Sequence, residues 1–265
     1  MRKTFKWIGI GLGSLVIIVG IAALVLYSSG RSRLNQTYDV AVAALPIDNS
    51  AASLARGEHL VEAVVACGEC HGEGLRGRAF FNEPAIGTVV SANLTNGEGG
   101  IAEAYSDEDW IRAIRHGIDP AGNPMMVMPA QHFQNMSEAD LGAVIAYLKT
   151  VPPVDNVPPP TELTPLTYIL IALGQFDNNI PAEYIDHDAP LPQAPPAGAT
   201  QAYGEYLVSI ATCRECHGKE LAGGQAGPGE PRADVHARRR GGSAAGGEQA
   251  DRQQQGRGPR PASDC

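Results

Sequence analysis

Four of the five cysteines fall into two copies of one pattern, Cys67-Gly68-Glu69-Cys70-His71 and Cys213-Arg214-Glu215-Cys216-His217. Residues three apart share a face of a helical turn, so two thiols at this spacing can form thioethers to the two vinyl groups on one porphyrin edge. The histidine that follows can then bring its imidazole under the ring as an axial iron ligand. A Cys-x-x-Cys pair alone also fits a redox dithiol, half of a zinc site, or a short structural disulfide. None of these explains a histidine after the second cysteine in both copies. The pattern therefore predicts two covalently held c-type haems, at Cys67, Cys70 and His71 and at Cys213, Cys216 and His217.

A six-coordinate haem iron needs a second ligand from the opposite face, and that ligand must come from a loop remote in sequence. Met125-Met126-Val127-Met128-Pro129 offers thioethers, the usual choice where the iron only exchanges electrons. Proline disfavours helix at the residue before it, so Met128 should be extended and able to point inward. Plain core filling is the other use of methionine. Met128 is the expected ligand of the first haem.

Helices must position these groups. Leu60, Val61, Val64 and Val65 recur at helical spacing, so the first attachment site should close a short amphipathic helix. The run Gly57-Glu58-His59-Leu60-Val61 has a counterpart in Gly204-Glu205-Tyr206-Leu207-Val208, and Gly72, Leu75 and Gly77 match Gly218, Leu221 and Gly223. The chain thus contains a duplicated unit. Ser106 with Asp109, and Ser137 with Asp140, are spaced for helix capping. The first of these helices should stop at Gly117. The second carries Leu141, Val144, Ile145 and Leu148 as one apolar stripe and ends before Pro152-Pro153.

Trp7 to Tyr27 is a run of 21 residues without a charge. At about 1.5 Å per residue it can cross a bilayer core of about 30 Å. Arg2, Lys3 and Lys6 precede it, which keeps the N-terminus cytoplasmic and everything after it outside. A cleaved signal peptide is the rival reading, with a start near residues 28–31, although Leu26-Tyr27-Ser28 makes a poor cleavage site. The remaining chain is acidic: residues 1–230 hold 13 Lys/Arg against 25 Asp/Glu. That balance argues against nucleic acid as a partner and suits docking to a basic protein surface. Gly (31) and Pro (20) are abundant enough to imply much loop.

Residues 51–153 resemble a class I cytochrome c domain, with an N-terminal helix, Cys-x-x-Cys-His, a Met-Pro loop and a last helix ending Ala146-Tyr147-Leu148. Asn93-Leu94-Thr95, Tyr105-Ser106-Asp107-Glu108-Asp109-Trp110 and the Pro152–Pro160 linker are similar to membrane-anchored dihaem cytochromes. Those include cytochrome subunits of periplasmic dehydrogenases. The resemblance implies an all-α protein and a bacterial, single-pass inner-membrane electron carrier facing the periplasm. Its partners would be a dehydrogenase or other redox proteins, and the respiratory chain. A dihaem peroxidase with one open iron site is the alternative. The expected divisions are 1–30 (anchor), 31–50 (linker), 51–153 (first haem domain), 154–200 (proline-rich linker with a short apolar helix), 201–230 (start of a second haem domain) and 231–265 (tail). His59, His116, His132 and His187 match no ligand position of the family and are expected on the surface or in the linker.

The second domain departs from the pattern. Met128 lies 57 residues after His71, and the same offset from His217 would fall at 274, beyond Cys265. From Pro231 onward there is one Val and no Leu, Ile, Met or aromatic residue, too little to bury a core. The second haem domain is expected to be incomplete, and the tail to be the product of a shifted reading frame or a truncated gene.

Overall fold

The computed structural model describes residues 2–218 and 220–223. The chain divides into two units, Met1–Thr212 and Cys213–Cys265. The first begins with helix α1, Arg2–Leu34, whose apolar stretch is exposed through Ala22 and half-buried beyond it at Ala23, Leu26 and Tyr27. The helix does not stop where the uncharged run ends but continues through Arg31 and Arg33.

The haem-domain segment is helical where the apolar periodicity placed helices. Ser50 caps α2 (Ala51–His59), which loosens into a π-helical turn over Leu60–Val64. After α3 (Cys67–His71) come α4 (Asp107–Ile111), continued by a second π-helical turn over Arg112–His116, then α5 (Ala130–Phe133) and α6 (Glu138–Leu148). Ser106 and Asp109 form a complete capping box, and Gly117 ends that helix at φ 65°, where a Cβ would be strained. At α6 only half of the same device exists. Ser137 accepts from the Asp140 N–H, while the Asp140 carboxylate accepts from Arg56 (2.8 Å) and from the Tyr206 hydroxyl (2.6 Å).

Helix α2 packs across α6 at Gly57, where any side chain would fall on the Ala143 carbonyl. Leu60 and Val61 thereby join Trp110, Ile114, Leu141, Val144, Ile145 and Leu148 in one apolar core. Helix α7 (Pro165–Ala172) packs beside the end of α1, and α8 (Gln201–Ile210) adds Tyr206 and Ile210 to the core.

The fold is mostly helical, yet the all-α expectation needs correcting. β1 (Arg78–Glu83), β2 (Gly87–Ser91) and β3 (Glu162–Leu163) form an antiparallel sheet in that order. Thr88-Val89-Val90 suits a strand, and Gly87 makes the tight approach to β3 at φ 110°. The Pro152–Pro160 segment also differs from a free spacer. Buried Asn93 donates from Nδ2 to the Val154 and Asn156 carbonyls, and the Val154 N–H donates to Thr95 Oγ1. The proline-rich chain is clasped to the domain it leaves.

The second unit is described only through Gly223 and without residue 219. Within it, α9 (Cys213–His217) repeats α3 closely. Ala66 and Thr212, each just before the first cysteine, have φ 52° and 56°; Leu75 and Leu221 have 58° and 56°. The Gly77 N–H donates to the His71 carbonyl, as Gly223 does to His217. The tail from Pro231, and with it the expectation of a shifted reading frame, lies outside the described residues.

Candidate functional site

Cys67, Cys70 and His71 sit on one turn of α3, entered through the left-handed Ala66. That conformation costs an alanine on the order of 1 kcal/mol, a local strain that the surrounding contacts must hold. The last carbonyls of α3 have no helical partners of their own. Ser91 Oγ donates to the Cys70 carbonyl at 2.7 Å, and the Arg78 guanidinium reaches the carbonyls of Cys70 and Glu69. The β1–β2 hairpin therefore braces the attachment turn from outside.

His71 Nδ1 lies 2.8 Å from the Ala92 carbonyl, which can only accept, so Nδ1 carries the proton. Nε2 is left with the ring's lone pair, as an iron ligand requires. Burial also disfavours the imidazolium and moves the His71 pKa down, favouring the neutral, ligating form. The cysteines are unpaired thiols. Burial, with help from Glu62, pushes Cys67 up to about 12, and Cys70 is raised as well. A redox dithiol needs a depressed thiol pKa, so these groups suit that alternative poorly. No group of three or more His, Cys, Asp or Glu side chains is placed to hold a metal ion among the described residues, as a zinc site would need.

All three residues line a cavity of about 610 Å³, and so do Met125, Met126 and Met128. The Met loop is tied at several points. Met125 N–H donates to the Gly117 carbonyl, Val127 N–H to Asn179 at 2.8 Å, and Ala130 N–H to Met128. Val127 is held at φ 71°, a strained conformation for a β-branched residue. Met128 is outside any helix, half-buried, and packed against the core. The structure thus gathers Cys67, Cys70, His71 and Met128 around one space, with Met125 and Met126 on the same wall.

The walls are largely apolar: Leu94, Ile101, Phe133, Val144 and Leu148 contribute. One polar atom among them lacks a partner: Trp110 Nε1 is buried with no hydrogen bond. Trp110 itself lines the cavity, and a buried indole N–H without a protein partner fits an acceptor on the cavity's occupant. Two thiols, a neutral imidazole, thioethers, apolar walls and an orphaned donor are together a donor set that fits a c-type haem.

Several wall residues were invisible to sequence reasoning. Leu34 from the end of α1, Leu163 from β3 and Tyr168 from α7 all line the cavity, as does Phe80 from β1. Leu34 and Phe80 are far in sequence from Leu163 and Tyr168, and none of the four carries a spacing signature. One histidine also corrects the expectation of surface or linker roles. His116 is only 3 % exposed, and its Nδ1 lies 3.0 Å from His187 Nδ1, a histidine of the linker. Cys213, Cys216 and His217 lie half-buried on α9 of the second unit.

Residues 52–148 match the family described as cytochrome c oxidase, cbb3-type, subunit III. A fructose dehydrogenase cytochrome subunit of Gluconobacter japonicus is 30% identical over 176 residues, covering 62% of this chain and 34% of that protein. A gluconate 2-dehydrogenase cytochrome c subunit of Pantoea cypripedii is 30% identical over 173 residues, 61% of this chain and 37% of its own length. The cytochrome c subunit of an alcohol dehydrogenase (quinone) of Gluconobacter oxydans is 30% identical over 177 residues, 64% of this chain and 36% of its own. The chain spans about a third of the length of these three relatives. Residues 52–148 are a class I cytochrome c domain, and the chain that carries them is a distant homologue of the cytochrome c subunits of dehydrogenases.

Proposed function

We propose that this protein is a membrane-anchored carrier that moves single electrons from a periplasmic dehydrogenase towards the respiratory chain. A cytochrome c domain implies covalent haem c, which supplies a one-electron Fe(III)/Fe(II) couple when bound. In this reading Cys67 and Cys70 would hold the haem through thioethers, and His71 and Met128 would ligate its iron. The apolar walls exclude water, which favours a raised potential and leaves no position for substrate. Cys213, Cys216 and His217 would hold a second haem. The observation that carries the reading is the shared cavity lined by the attachment turn and the Met loop.

An anchor, rather than a cleaved signal, is supported by what a cut near residues 28–31 would sacrifice. Tyr27 packs edge-on against Tyr168, with ring centroids 5.4 Å apart, and a side chain at Gly30 would strike the Tyr168 carbonyl. The acidic balance of residues 1–230 suits docking to a basic redox partner.

The test is spectroscopic and stoichiometric. Protein made in a host with periplasmic haem-attachment machinery should hold two haems per chain by alkaline pyridine assay, and one after Cys67→Ala/Cys70→Ala. Rapid reduction by a dehydrogenase with negligible peroxide turnover supports the carrier reading. Sustained peroxide turnover by the full chain would overturn it.

A further inference from the structure

We infer that helix α7 is a second membrane contact, lying in the outer interface of the bilayer with its apolar side towards the lipid. The observation is where α7 meets α1. Its contacts run from Tyr27, the last residue of the uncharged run, to Arg33, about 9 Å further along the helix axis. Tyr168 packs against Tyr27 and Gly30, and the Arg33 guanidinium donates to the Ile171 carbonyl. Arg33 also pairs with Asp177 (2.8 Å) and Glu183, which fixes the segment after α7 to the same turn of α1. If α1 spans the bilayer, α7 is held at the level where hydrocarbon gives way to headgroups. The inference rests on that anchor reading.

The composition of the segment fits this depth. From Leu163 to Phe176 the chain reads LTPLTYILIALGQF, with no charge in 14 residues. Thr167 and Ile171 turn inward and are fully buried, whereas Leu166 and Leu173 are 47 % and 54 % exposed. Ile169 and Leu170 are half-exposed. Thr164 caps the helix and the Thr167 hydroxyl donates to the Ile86 carbonyl, so the inner side is satisfied by the protein. The outer side is apolar, uncharged and continuous with the lipid-facing surface of α1. Tyr27 and Arg31, joined by a 3.2 Å hydrogen bond at the same level, are the residue types that favour headgroups. Continuity with the span, rather than apolar exposure alone, makes a phospholipid interface the occupant. A facing protein subunit would not require α7 to sit at that one depth.

The test uses the full-length haem-loaded chain with Cys265→Ser, in vesicles of zwitterionic and anionic phospholipid. Nitroxide labels are placed singly through Leu166→Cys, Leu173→Cys, Val16→Cys and Glu103→Cys, the last as a water-facing control. Haem absorption and circular dichroism confirm that each variant folds. The readout is collision of the label with oxygen, which concentrates in lipid, against a nickel chelate, which stays in water. At 166 and 173 the oxygen-to-nickel ratio should rise well above that at 103, and remain below that at 16. Ratios at 166 and 173 equal to that at 103, with 16 lipid-exposed, would overturn the inference and leave the anchor standing. Shielding of 166 and 173 from both collision partners would also overturn it, in favour of a covering protein surface. A water-exposed label at 16 would bring down the anchor reading and this inference together.

Discussion

Val127 holds a left-handed backbone one residue before the sulfur expected to meet the iron, and its N–H is committed to Asn179. Such strain persists only where the surroundings over-determine it. Met128 is therefore presented by a fixed loop. Met128→Ala should abolish the weak charge-transfer absorption of ferric iron bound to a thioether, with the Soret band retained. Survival of that band, tested also in Met125→Ala and Met126→Ala, would move the role to a neighbour on the same wall. The His116–His187 pair makes a second prediction. Burial first, then His187, Arg115 and Arg112, push the His116 pKa down from 6.5 to about 4. A base whose folded pKa is depressed binds fewer protons when folded, so its stabilisation is full above about 6.5 and is lost as pH falls towards 4. Between pH 7 and pH 5 this removes about 2 kcal/mol. Urea unfolding of His116→Asn should show a flatter stability profile across that window. The meeting of Cys67, Cys70, His71 and Met128 at one cavity was legible because covalent chemistry and proline geometry dictate local spacing. The histidine pair was not, since its members lie 71 residues apart and meet only in the folded chain.

Asn93 shows the same division among elements. The stretch Asn93-Leu94-Thr95 stood out as a resemblance, but its physical role lies in what it grips. Asn93 Oδ1 accepts from the Thr95 N–H and hydroxyl, while Nδ2 donates to two carbonyls of the proline-rich segment. Removing these partners leaves several buried groups unmatched, at a cost of about 2–4 kcal/mol. Asn93→Ala should lower the melting temperature and open residues 152–160 to limited proteolysis. Unchanged protection there would show that the prolines hold themselves in place. The helices were readable from capping residues and apolar periodicity. The sheet was not, because β3 is two residues long and joins β2 from across most of the domain. Asp140 was read as a cap and instead serves Arg56 and Tyr206, since a buried carboxylate takes the stronger charge-assisted partners.

At the scale of the whole molecule, α1 is the element whose fate decides where the rest works. Mature protein should resist extraction by alkaline carbonate, and its N-terminal sequence should begin before Trp7. A start at 28–31 with release into the soluble fraction would show cleavage. Docking of the acidic domain to a basic partner should weaken as salt rises, most steeply below physiological ionic strength. One connection links these scales mechanically. Arg33 on α1 grips Asp177; two residues on, the Asn179 carbonyl takes the Val127 N–H; the next residue is Met128. A force applied to the anchor helix has a short load path to the thioether, through one ion pair, two residues and one peptide hydrogen bond. On the proposed reading, in which Met128 ligates the iron and α1 stays uncleaved, the ligand would be braced by the same post that moors the protein.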